Sequence, residues 1–134
     1  MPYSAEQMFD LVNDVAAYPE FLPWCSESRV LDSSASEMLA SITVARAGVS
    51  HSFTTRNQLE RPSLIRLNLV DGPFSSLEGW WRFSQLGADG CKTEMNLRFD
   101  FSSSILNATF GKVFAQAADT MVDAFCERAS NVYA

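Results

Sequence analysis

His51 is the only histidine in the chain, and the only side chain whose ordinary pKa suits proton transfer near neutral pH. No acidic or nucleophilic motif stands beside it, and a catalytic base needs a partner and a substrate within hydrogen-bond reach. The sequence holds no G-x-S-x-G elbow, no nucleotide-binding glycine loop and no cluster with metal-ligand spacing. Cys25, Cys91 and Cys126 lie far apart, match neither a zinc pattern nor a C-x-x-C pair, and read as buried reduced thiols. No catalytic residue and no metal site is therefore expected. The chemistry these residue types favour is burial of something apolar. Each ligand CH₂ taken out of water gains about 0.8 kcal/mol, and pockets for such ligands are lined by aromatic and aliphatic side chains with few polar groups. The same side chains would also make a plain core, so both readings stand. Polar candidates are few. Asp71, in Asp-Gly-Pro, is either a simple turn residue or a carboxylate on the rim of a ligand site. Arg56, Arg82 and Arg98 alternate with apolar strand residues, which suits a solvated outer face. An inward-pointing arginine, with Arg56 the candidate for the rim, would instead meet a ligand carbonyl or head group.

The elements that would position these residues follow from periodicity. Ser4-Ala5-Glu6-Gln7 is a capping box, and Met8, Leu11, Val12 and Val15 continue it as one helical stripe. Asn13-Asp14 and Tyr18-Pro19 interrupt that helix, and a second short helical piece is expected to end near Pro23. The stretch Tyr18-Pro19-Glu20-Phe21-Leu22-Pro23-Trp24-Cys25 crowds three aromatics and two prolines. Each proline removes a backbone donor and clashes with the preceding helical turn, so a rigid, kinked lid carrying Phe21, Leu22 and Trp24 is expected.

From about Glu27 the period changes to two. A short strand at Arg29-Val30-Leu31 is followed by Met38/Ala40/Ile42/Val44, Val49 to Leu59, Ile65/Leu67/Leu69, Leu77/Gly79/Trp81/Phe83 and Met95/Leu97/Phe99/Phe101. Turn residues separate them at Ser33–Ser36, Gly48, Arg61–Ser63, Asp71–Pro73 and Gly87–Gly90. Six strands on short turns imply an antiparallel meander with one apolar face. A final helix is predicted over about Ile105 to Tyr133, with Leu106, Phe110, Val113, Phe114, Ala117, Met121, Phe125 and Val132 in one stripe. The sheet must curve around that helix, and a cavity remains wherever the two cannot touch. The sheet would contribute Val44, Phe53, Leu67, Trp81, Phe83, Leu97 and Phe99 to it. The helix would contribute Phe110, Phe114, Ala117 and Met121.

Composition narrows the partners. The 134 residues suit one domain, 1–134, with 47% hydrophobic and 19% charged residues. A net charge of −6 is a poor match for DNA or an anionic membrane surface. No apolar run reaches the roughly 18 residues of a membrane span, and the N-terminus lacks a secretory pattern. A cytoplasmic protein with at most peripheral membrane contact is expected.

Four motifs in order carry a resemblance: Tyr18 to Cys25, Phe53-Thr54-Thr55-Arg56-Asn57, Leu69-Val70-Asp71-Gly72-Pro73-Phe74 and Trp81-Arg82-Phe83. The chain resembles the coenzyme Q-binding family, which includes the bacterial ribosome association toxin RatA and has been labelled oligoketide cyclase/lipid transport. The resemblance implies an α+β, START-like helix-grip fold: a curved antiparallel sheet of six to seven strands around a long C-terminal helix, with two short N-terminal helices. It implies a non-enzymatic binder of a hydrophobic ligand, ubiquinone or a related prenylquinone or lipid, in support of respiratory electron transport, with no covalent cofactor. The alternative it implies is binding to the large ribosomal subunit with inhibition of subunit association; a polyketide cyclase is a third reading. Members of the family open with a strand, and here only Met1-Pro2-Tyr3 precedes Ser4, so one sheet edge is expected to lack that partner. Ser75-Ser76 stand where basic residues are common in the family, which argues against RNA contact through that loop.

Overall fold

The computed structural model describes residues 2–46 and 48–133. Helix α1 (Ala5–Asn13) starts on the expected capping box: the Gln7 amide donates to Ser4 Oγ (3.1 Å) and the Ser4 amide to Gln7 Oε1 (2.9 Å). Two of its four orphan amides are thereby satisfied. It ends at Asn13, so Val15 is not on its stripe but opens a 3₁₀ helix, Val15–Glu20, where it is still buried. That second piece stops at Glu20, short of Pro23, and holds Pro19 within it. Tight turns carry the chain onward, with the Leu22 amide bonded to the Tyr18 carbonyl (2.9 Å) and the Cys25 amide to the Leu22 carbonyl (3.0 Å).

Six antiparallel strands follow in simple sequential order: β1 (Cys25–Ser33), β2 (Glu37–Arg46), β3 (Val49–Glu60), β4 (Leu64–Asp71), β5 (Phe74–Leu86) and β6 (Gly90–Phe101). β1 is longer than the expected Arg29–Leu31, yet Val30 and Leu31 are exposed because an edge strand extends past the helix that covers the centre. No strand forms among residues 2–4, so β1 and β6 are the edges of the described sheet. Pairing sets the inner face in rows: Ile42–Phe53, Ala40–Thr55–Leu69, Asn57–Leu67–Gly79–Leu97 and Leu59–Ile65–Trp81–Met95. Gly79 lets the sheet close up here. A Cβ at this position would lie 2.4 Å from the Asn96 carbonyl oxygen and 2.9 Å from Leu97 Cδ1, where no side chain fits.

Helix α2 (Ser104–Val132) begins at Ser103, whose Oγ accepts from the Leu106 amide (3.1 Å). Its 29 residues span roughly 43 Å at 1.5 Å per residue, so it crosses the whole sheet. Two aromatic anchors hold it. Phe110 and Phe114 pack into Phe53, Phe74, Phe99 and Phe101, with Phe114–Phe99 centroids 4.7 Å apart. Phe125, fully buried, meets Trp81, Tyr18 and Phe21 edge to face at 5.2–5.3 Å. The predicted stripe fails at its end. Val132 is exposed, and Ala129 and Tyr133 complete the packing, with Tyr133 Oη donating to the Gln7 carbonyl (2.9 Å).

Candidate functional site

Between the two anchors α2 presents Ala117, Ala118 and Met121, which are too small or too flexible to fill the span between Phe114 and Phe125. The result is a cavity of about 80 Å³. Its sheet wall is Ile42, Val44, Phe53, Thr55, Asn57, Ile65, Leu67, Leu77, Trp81, Met95 and Leu97. Val12 and Asn13 of α1, Val15 and Tyr18 of the 3₁₀ helix, and Trp24 close one end.

Of the residues expected at a ligand site, Trp24, Val44, Phe53, Leu67, Trp81, Leu97, Phe114, Ala117 and Met121 line this cavity. The others do not. Leu22 is packed in the core, and Phe21 lies outside, half-buried on Tyr18 and Phe125 under the Arg128 guanidinium (4.9 Å). Phe83 sits beyond the cavity end between Trp81 and Phe9. Phe99 and Phe110 belong to the aromatic anchor. Asp71 is exposed at the end of β4, and Arg56 is exposed on the outer face, paired with Glu37 (2.9 Å). Strand alternation explains Arg56: it lies between inward-facing Thr55 and Asn57 and so must point out. Neither Arg56 nor Asp71 forms a rim. Arg82 and Arg98 point outward for the same reason. The His51 ring meets the Phe110 ring edge to face (4.7 Å). Among the described residues no group of three or more His, Cys, Asp or Glu side chains could hold a metal ion.

The polar atoms in the wall are informative. Thr55 and Asn57 are buried at 5% and 6% exposure, and Thr55 Oγ1 donates to Asn57 Oδ1 (2.8 Å). Both lie in step with Phe53, so period two alone would have placed them inward; attention to apolar residues passed over them. Tyr18 Oη donates to the Val12 carbonyl, and burial raises its pKa far above the ordinary value. Trp24 Nε1 and Asn13 Oδ1 differ from these, for each is buried without a hydrogen-bond partner among the described residues. A buried donor or acceptor left alone costs about 1–3 kcal/mol. The cavity is chemically suited to a mostly apolar molecule, and Trp24 and Asn13, each carrying one of these unpaired atoms, are among the residues that line it. Trp24 also lines a surface groove of about 360 Å³ with Phe21, Pro23 and the outer side of α2 from Thr120 to Asn131. Trp24 thus borders both the cavity and the groove.

The family model described as polyketide cyclase / dehydrase and lipid transport matches residues 1–126. The chain belongs to that family. Its relatives include a protein named ribosome association toxin RatA from Pseudomonas aeruginosa, 53% identical over 99% of this chain and 92% of the relative. Further out is one named coenzyme Q-binding protein COQ10 homolog B, mitochondrial, from Xenopus laevis, 31% identical over 98% of this chain and 55% of the relative. The resemblance read from the four motifs is thus borne out. Among solved structures, the Zhui aromatase/cyclase from Streptomyces sp. R1128 superposes with a TM-score of 0.85 at 16% identity, over 99% of this chain and 90% of that one. Together with a START superfamily protein from Mycobacterium smegmatis, which superposes with a TM-score of 0.81 at 20% identity over 98% of this chain and 93% of that one, it shows the shared START-like fold. No helix of the described residues is long and apolar enough to cross a membrane.

Proposed function

We propose that the protein binds a prenylquinone or a closely related lipid without transforming it. The observation that carries this reading is the apolar cavity between α2 and the sheet, among whose lining residues Trp24 and Asn13 each carry a buried polar atom without a partner among the described residues. Family membership and the coenzyme Q-binding relative support it. The cavity is several times the roughly 10–15 Å³ that one water requires, yet it is far too small for a whole prenylated molecule. A ring-sized portion would enter, and its tail would leave past Trp24 into the groove beside α2. Conversion of the ligand is disfavoured by the wall itself. Thr55, Asn57 and Asn13 do not exchange protons near neutral pH, and Tyr18 is held protonated. Likeness of fold to an aromatase/cyclase does not carry that chemistry. Titration with a short-chain ubiquinone analogue followed by NMR tests the reading. Shifts confined to the cavity are expected, and their absence, together with no lipid in native mass spectra, would sink it.

A second reading is favoured by the 53% identity to a ribosome association toxin over nearly the full length of both chains. In it the protein acts in the cytoplasm, binding the large ribosomal subunit and hindering subunit joining. The two readings are compatible, because one uses the interior and the other the surface. Sedimentation through a sucrose gradient with large subunits tests the second, and a protein that stays at the top of the gradient refutes it.

A further inference from the structure

We propose that the outer face of the sheet around Trp80 is a binding surface for single-stranded RNA. Strand register lays this face out in three rows across β3, β4, β5 and β6: Glu60–Leu64–Arg82–Glu94, Gln58–Arg66–Trp80–Asn96 and Arg56–Asn68–Glu78–Arg98. At its centre lies a hollow of about 560 Å³ in which Arg66, Arg82 and Arg98 face a single acid, Glu78. In a chain of net charge −6 the lining of the hollow is positive, three arginines against one carboxylate, with Glu60 and Glu94 bordering it in the same rows.

These arginines are poorly neutralised. Arg66 has only a loose pair with Glu60 (3.7 Å), and among the described residues neither Arg82 nor Arg98 has an ion pair. Glu94 and Glu78 lie opposite them in register without closing one. Arg82 instead spreads its guanidinium over the half-buried Trp80 ring, 4.5 Å from the centroid. A planar guanidinium on an indole is a platform on which a nucleobase stacks, and flanking arginines meet the phosphates on either side. The amides of Gln58, Asn68 and Asn96 surround the platform and can read base edges or a 2′-hydroxyl. An acidic peptide would satisfy the arginines but leave the stacking platform and the amides unused. A gently curved sheet face suits unstacked bases, since no helix projects from it to enter a groove. The choice of RNA as occupant rests on the ribosome-association reading above, whereas the platform and its charge do not. Ser75-Ser76 open β5 and do not line the hollow, although Ser76 pairs with Asp100 in the row next to Glu78–Arg98.

The test is fluorescence anisotropy of the full chain with a labelled decauridylate, read against salt. Trp80→Ala should weaken binding about ten-fold, the effect of losing one base–aromatic stack, with Trp80→Tyr restoring most of it. Arg66→Ser combined with Arg98→Ser should lower the salt slope by about 1.4, since each lost phosphate contact on a single strand removes about 0.7. Urea melts of each variant confirm the fold, so that weaker binding is not mistaken for unfolding. Equal binding by wild type and variants overturns the proposal, as does displacement of the RNA by poly-glutamate at equal charge. Co-sedimentation with large ribosomal subunits runs in parallel. If wild type and variants co-sediment alike and none binds the oligonucleotide through Trp80, the proposal falls while the ribosomal reading survives. If the oligonucleotide result holds and nothing co-sediments, the ribosomal reading falls and the RNA surface stands.

Discussion

Replacing Ala117 by leucine should make the protein more stable and at the same time unable to bind its ligand. Ala117 is 5% exposed and faces the cavity midway between the anchors Phe114 and Phe125. Unfilled volume costs about 24 cal/mol per Å³, so a cavity of about 80 Å³ leaves ~2 kcal/mol of packing unrealised. A leucine adds three carbons where alanine ends, with a gross gain of roughly 0.8 kcal/mol for each buried carbon. Ordering the longer side chain takes back about 0.5–1 kcal/mol. The net expectation is a gain of about 1–2 kcal/mol, read as a rise of roughly 1 M in the urea midpoint with an unchanged m-value. Titration of the same variant with a short-chain ubiquinone analogue should show at least a ~10-fold loss of affinity, as expected when about 1.4 kcal/mol of contact is removed. Two results would refute the reasoning. A loss of about 1 kcal/mol or more would mean that the space is already occupied and the leucine overpacks it. Binding equal to wild type would mean that this cavity is not where the ligand goes.

Trp24→Phe keeps most of the ring volume but removes the buried N–H that lacks a partner, so quinone affinity should fall by about 1 kcal/mol while stability stays within about 1 kcal/mol of wild type. Isothermal titration beside a urea melt separates the two, and unchanged affinity would show that the indole N–H is no ligand contact. Phe125→Ala removes the C-terminal anchor of α2 from a fully buried site and should cost about 3–5 kcal/mol in urea unfolding; a cost below about 1.5 kcal/mol would show that the helix end is held by other contacts. Burial pushes the Cys25 thiol up to about 11 from its ordinary 9.0. The folded state therefore keeps a proton that the unfolded chain releases. Stability from this group is complete below about pH 9 and is lost as pH rises toward 11. Tyr18 acts in the same direction. The fall in urea midpoint between pH 8.5 and 11 should be smaller in Cys25→Ala than in wild type; equal slopes would show that Cys25 does not titrate as a buried group.

Strand order, the meander and the long final helix could be read from residue spacing because each depends on local rules. Apolar residues at period two, turn residues between runs, and a three-to-four-residue stripe all act over a few neighbours. The errors fall where a distant element decides. Val132 fits the helical stripe, but the sheet no longer reaches it, so it is exposed. Phe83, Phe99 and Phe110 have the same pattern as cavity residues, yet each is packed among other rings. Asn13 and Tyr18 reach the cavity only because α1 and the 3₁₀ helix fold over its end.

By itself the sequence determined which faces are apolar and that six strands precede a helix long enough to cross them. Each of these is a property of short stretches of chain. Tertiary structure alone decided where the packing stops short. Two alanines between Phe114 and Phe125 become a cavity only when a curved sheet lies opposite them. Trp24 comes to border both the cavity and the groove only in the folded chain. In the same way, arginines scattered over β4, β5 and β6 become one charged surface only through strand register. Cavities and surfaces are set by what lies across space, and no local period records that.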